Sequence, residues 1–123
     1  MLEFTIKGEP ASKANSRRLV TIKGRPAFIK SSKALNYEKA ALYQLRAVTR
    51  GREALLKPCG VNIVIYYASN RPDLDESVIL DVLQKAGVYK NDRLVHEKHI
   101  YHALDKLNPR AEIKVWELVD NDS

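Results

Sequence analysis

Residues 61–87 read VNIVIYYASNRPDLDESVILDVLQKAG, and a change of period inside this stretch decides the fold class. Residues 61–67 are mostly apolar and β-prone, which predicts a central strand. Asn70, Pro72 and Asp73 break it, and an Asp or Ser there can cap a helix. Val78, Ile79, Val82, Leu83 and Ala86 then recur at the three, four, seven spacing of a short helix. Gly87 stands where a left-handed C-terminal cap belongs. A strand followed by a short helix sets up a mixed architecture, and the flanking segments extend it. Leu2, Phe4 and Ile6 alternate with Glu3, Thr5 and Lys7, the period of a half-buried strand that Gly8 and Pro10 end. Residues 11–18 are small, polar and basic, and read as a loop. Residues 19–29 predict a hairpin turning at Lys23-Gly24-Arg25-Pro26. Ser31 or Ser32 can cap a helix over residues 34–48 that ends near Gly51, and residues 55–58 form a connector. Val88-Tyr89 is a short extended piece and residues 90–92 a turn. Residues 94–104 and 111–118 read as two further strands, able to form a hairpin across Asn108-Pro109, before a frayed tail. The whole predicts one α+β domain over residues 1–123, a mixed β-sheet of about five or six strands with two main helices.

Composition narrows the function classes. The 123 residues are 45% hydrophobic and 29% charged, ordinary for a soluble globular domain and too apolar for disorder. One cysteine, Cys59, cannot form an internal disulfide, has no activating partner nearby and predicts no zinc site. No apolar run of about 18 residues is present, so no membrane span is expected. The N-terminus has no basic leader followed by an apolar stretch, which predicts a cytoplasmic, reduced protein without a signal peptide. Lys and Arg total 21 against 15 Asp and Glu, and the excess is lopsided. Residues 1–60 carry 13 basic and 4 acidic side chains, residues 61–123 carry 8 and 11. A basic half of this kind predicts a polyanion-binding surface. Lys13, Arg17, Arg18, Lys23, Arg25, Lys30 and Lys33 lie in its loops and hairpin and are expected to contact phosphates, a solvated face being the alternative. Asn15 among them, and Arg71 beside the acidic stretch, complete the candidate DNA-contacting set.

The acidic half needs its own account. Asp73 and Asp75 sit two apart, so in extended chain they point to the same side. Two such carboxylates repel unless a cation or a proton lies between them. Hard divalent ions take this oxygen-only ligand type. A helix over residues 77–86 is about 15 Å long, and an extended return from Gly87 to Asp92 covers about 16 Å. A chain that doubles back would therefore bring Asp92 beside the pair. Three aspartates in a basic protein suggest metal-assisted hydrolysis of a phosphodiester. A purely structural set of roles competes: Asp73 as turn former, Asp75 as helix cap, Asp92 as turn residue. His96 and His102 share one face of a strand and His99 takes the other, which favours surface or core-edge roles over zinc. Tyr66 and Tyr67 read as sheet core.

Asp73-Leu74-Asp75-Glu76, Asp81-Val82-Leu83, Lys85-Ala86-Gly87 and Asn91-Asp92, in that order, resemble the signature of the RusA family of Holliday junction resolvases. The opening GEPASKANSRR is similar to that family's Pro- and Asn-containing start with its Arg. The resemblance implies a RusA-like fold and a Mg2+-dependent homodimeric endodeoxyribonuclease, with Mn2+ able to substitute and no organic cofactor. It implies resolution of four-way DNA junctions by paired nicks in recombination and repair. Asp73, Asp75 and Asp92 would be its metal-binding catalytic residues. This chain departs from the pattern in three places. Glu76 stands where the family usually has Asn, and the second acidic pair is Asn91-Asp92. The family's active-site Lys falls on Ile79 counted forward from Asp75, or on Ser77 counted back from Asp81, so Lys13, Arg71 or Lys90 would have to supply that charge. Two readings remain beside it: a non-catalytic basic nucleic-acid-binding module, and a metal-dependent nuclease for another branched DNA or RNA.

Overall fold

The structure is a computed structural model that describes residues 1–69 and 75–118. Its organising strand is β4 (Cys59–Tyr67). Cys59, Val61, Ile63, Ile65 and Tyr67 are fully buried on one of its faces, the period of two that a pleated strand imposes. After it comes α2 (Glu76–Lys85), which buries Val78, Ile79, Leu80, Val82 and Leu83. The helix ends as the sequence predicts. Gly87 has φ +82°; its amide bonds the Gln84 carbonyl and the Val88 amide bonds that of Leu83, both at 3.0 Å. This pair of bonds is the Schellman closure, and the left-handed residue it requires is one that glycine adopts without strain.

Strand β5 (Val95–Leu104) runs parallel to β4. Parallel neighbours need a crossover connection, and α2 lies in it. On the other edge of β4 lies β6 (Arg110–Glu117), antiparallel to it. Outside that is β1 (Leu2–Lys7), antiparallel to β6. The order is therefore β1-β6-β4-β5. The hairpin expected between β5 and β6 does not form. The most apolar strand, β4, takes the centre between them, and the connection crosses its end, where the Asp105 amide bonds the Tyr67 carbonyl at 2.8 Å. Arg110 fixes this corner: it is 2.7 Å from Asp105, and its guanidinium lies 3.9 Å from the centroid of the Tyr66 ring.

The single sheet of about five or six strands expected from sequence is instead a sheet of four and a ribbon of two. β2 (Arg17–Ile22) and β3 (Arg25–Lys30) form a separate antiparallel ribbon. Lys23 and Gly24 both have positive φ, 50° and 77°, the two-residue turn whose twist matches that of a hairpin. Helix α1 (Ser32–Thr49) follows, capped by Ser31, whose hydroxyl accepts from the Ala34 amide at 3.2 Å. It buries Ala34, Tyr37, Ala41 and Leu45 and packs against α2 and β1. Residues 11–18 are more than a polar loop. Ala11, Ser12 and Ser16 are buried, a short 3-10 helix spans Lys13–Asn15, and Arg17 and Arg18 already belong to β2. Among the described residues no helix is long and apolar enough to cross a membrane.

Candidate active site

Asp75 occupies the N-cap position of α2, yet its carboxylate bonds no amide of the first turn. It accepts instead from the hydroxyls of Ser77 and Ser16. Ser16 also lies 2.8 Å from the Ser12 carbonyl, so the packed segment before β2 seats this acid. Asp75 is 5% exposed. A cap would have spent the carboxylate on backbone amides; here it is braced by side chains.

Asp75 lines a cleft of about 440 Å³ together with Ser16, Arg17, Lys30, Asp81, Lys85 and Asp92. Asp92 reaches this cleft at the end of an extended return, Asn91 having φ −150° and ψ 140°. Leu55 pairs with residues 88–90, accepting from the Lys90 amide and donating to the Val88 carbonyl, both at 3.0 Å. Residues Asp92–Leu94 then coil into a 3-10 helix. The Asp92 amide bonds the Gln84 side chain at 2.8 Å, which ties it to the last turn of α2. Gln84 is nine residues beyond Asp75, about 13 Å along a helix axis. The carboxylates of Asp75, Asp81 and Asp92 line this one cleft. Among the described residues no three His, Cys, Asp or Glu side chains form one compact metal-binding group. Asp73 and Arg71 lie outside the described residues.

The cations of the cleft are Lys30, Lys85 and Arg17. Lys30 Nζ is 2.7 Å from both Asp81 and Glu38. Lys85 Nζ bonds Glu38 and lies 3.4 Å from Asp81, one helical turn earlier. Burial by itself would push the Glu38 and Asp81 carboxyls up, but the two ammonium groups outweigh it and hold both below the ordinary carboxylate range. Burial likewise works against the Lys30 ammonium, and its two carboxylate partners prevail, raising it. Of the cations that sequence suggested in place of the family's Lys, Lys13 lies 4.0 Å from Glu76 and lines a smaller hollow beside Asp75. Lys90 does not line the cleft. Lys30 was expected at phosphates and is found paired with acids. Glu38 carried no sequence signal; Lys85 and Ser16 stood inside the stretches that resemble the family, with no role assigned to either.

The remaining candidates fall beyond the cleft. Asn15 is exposed and its carbonyl accepts from the Ser31 hydroxyl at 2.5 Å. Arg18, Lys23 and Arg25 stand exposed along the β2–β3 ribbon. His99 bonds Glu97 at 2.7 Å and stacks on Trp116, and His102 meets the edge of the Tyr67 ring; both stand on β5. Tyr67 is core as expected, and Tyr66 is half-buried under Arg110. Cys59 is buried in the sheet core.

The family model described as Endodeoxyribonuclease RusA matches residues 7–116. Over 117 residues, 93% of this chain and 90% of the relative, the sequence is 31% identical to the Crossover junction endodeoxyribonuclease RusA of Aquifex aeolicus (strain VF5).

Proposed function

From the chain's membership of the RusA endodeoxyribonuclease family, we propose that it is a Mg2+-dependent homodimeric resolvase of four-way DNA junctions, making paired nicks in recombination and repair within the cytoplasm. The observation that carries this reading is the buried Asp75 carboxylate, aimed into a cleft shared with Asp81 and Asp92. The donors there are carboxylate and hydroxyl oxygens, the set that suits a hard divalent cation. Asp75 and Asp92, together with Asp73, would hold the ion, with Mn2+ able to substitute for Mg2+. A divalent ion bound there would supply positive charge at the scissile phosphate and acidify the attacking water.

The chain's own groups do the rest. Ser16 and Ser77 hold the Asp75 carboxylate in one orientation, so it need not reorganise when DNA arrives. Lys85 is the more exposed of the two lysines in the ion network and offers a positive charge to a phosphate entering the cleft, in place of the family's helix lysine. Arg17 and Lys13 flank Asp75 and contact the adjoining phosphates; Arg18, Lys23 and Arg25 follow the backbone outward along the ribbon. Such contacts give affinity without reading sequence. A four-way junction has approximate two-fold symmetry, which a two-fold dimer matches by placing one cleft on each of two opposed strands.

The test is cleavage of an end-labelled four-way junction. Paired, symmetric nicks are expected with Mg2+ or Mn2+ and none in EDTA. Equal cutting in EDTA, or faster cutting of flaps or RNA than of junctions, overturns the assignment.

A further inference from the structure

The β2–β3 ribbon carries a feature that phosphate binding does not use. Its register pairs Arg17 with Lys30, Leu19 with Phe28, and Thr21 with Pro26. Directly paired residues share a face, and so do residues two apart. The Arg17–Lys30 rung lines the catalytic cleft. The Leu19–Phe28 rung is therefore the next on the same face, about 7 Å further out along the strands. Both side chains are left in water: Leu19 is 61% exposed and Phe28 70%. On the opposite face Val20, Ala27 and Ile29 are partly covered, so the ribbon's most exposed apolar pair stands on its cleft side.

An aromatic in water beside an active-site cleft calls for an occupant. Arg18 and Arg25 belong to the opposite face, so the exposed cation beside the pair is Arg17, which also lines the cleft. A nucleic acid held in the cleft runs on over this rung and satisfies both features, a phosphate for Arg17 and a planar base for the ring. In continuous duplex the base faces are stacked on one another. At a branch point the stack is interrupted and a base face becomes available. We propose that Phe28, backed by Leu19, is a stacking platform for a base at the branch point. DNA shape would then be read by one ring on the cleft side of the ribbon. This inference rests on the junction-cutting reading and adds the residue that makes it selective for branches.

Metal-free binding to a junction carrying 2-aminopurine at the branch point, and to linear duplex of the same sequence, tests it. Wild-type protein should quench the 2-aminopurine on binding. Phe28→Ala should abolish the quenching and raise the junction Kd about tenfold, equivalent to about 1.4 kcal/mol, while the duplex Kd stays within about twofold. Phe28→Leu, which keeps apolar bulk without a ring, should fall between. Unchanged quenching and affinity in Phe28→Ala overturns the proposal. So does an equal loss on junction and duplex, or a shift from dimer to monomer in light scattering, which would make the face a contact between copies. Cleavage by wild-type protein is read separately. Junction cutting with Phe28→Ala indistinguishable in binding removes the platform alone; quenching without cutting removes the nuclease reading and leaves the platform.

Discussion

Asp75 stands where helices take their caps, but its oxygens serve the hydroxyls of Ser16 and Ser77, and that choice predicts how substitution behaves. Asp75→Asn keeps the size and one accepting oxygen, so folding stability should change by less than about 1 kcal/mol. It removes the charge that a divalent ion needs, so cleavage should fall by about 10²-fold or more. Metal-free junction binding should hold or tighten slightly, because a negative charge near the phosphates is gone. Cutting rates measured on protein with wild-type thermal unfolding check this, and a wild-type rate sinks the assignment. Asp92→Asn is judged in the same way. Cys59 offers a second residue-scale prediction. Burial pushes its thiol up, and the negative charge of Glu117 adds to the shift. A thiol reagent at pH 8 should leave the native protein unlabelled and react within the dead time in denaturant. The Asp75 site was half legible in sequence: its acid was visible, its hydroxyl partners were not, because serines in a polar stretch carry no pattern.

At the scale of elements, Lys30 on β3, Glu38 on α1, and Asp81 and Lys85 on α2 lock three elements together. Glu38→Gln leaves Lys30 and Lys85 with one carboxylate between them and should cost about 1–2 kcal/mol, a range kept low by the partial exposure of the lysines. The pH dependence has a definite sign. Glu38 and Asp81 are held low, so their contribution is complete above the ordinary carboxyl values of about 4 and is lost as pH falls through the folded values. Lys30 is held high, so its contribution is complete below about pH 10.4 and is lost as pH rises through the folded value. Urea midpoints between pH 3 and pH 7 should show an acid decline that is shallower in Glu38→Gln; identical slopes would remove the network from the account. Elements with a period of their own were readable in advance: β4 by its apolar run, α2 by its spacing and Gly87, α1 by Ser31. Partner choice was not. β5 and β6 alternate as an antiparallel pair would, and only the demand of β4 for two neighbours separates them.

Across the whole molecule, six of the thirteen basic residues of the N-terminal half, Lys13 to Lys30, lie on the ribbon and the segment before it, while Asp75, Asp81 and Asp92 of the acidic half line the cleft. Junction affinity should therefore fall by about 10³-fold between 50 and 200 mM salt if about six phosphates are neutralised. Arg18→Glu and Arg25→Glu should weaken binding and leave the cleavage position unmoved. Gel shifts across a salt series check the slope, and a flat response would take the ribbon out of DNA binding. The symmetric substrate requires two clefts in one particle, so light scattering should report about twice the 14.0 kDa of one chain. A monomer that makes simultaneous paired nicks would contradict the dimer.

The sequence by itself determined the strand–helix unit of β4 and α2, the α+β class, the basic N-terminal half and the acids worth testing, because periodicity, capping and charge are local signals. Tertiary structure decided the division into four strands and two and the partners of the site acids. Ser16 and Asp75 are 59 residues apart in the chain, and Lys30 and Asp81 are 51 apart. No local pattern joins residues at such separations. They meet because α1, α2 and β4 bury their apolar faces in one core, which brings the chain leading into α1 against α2.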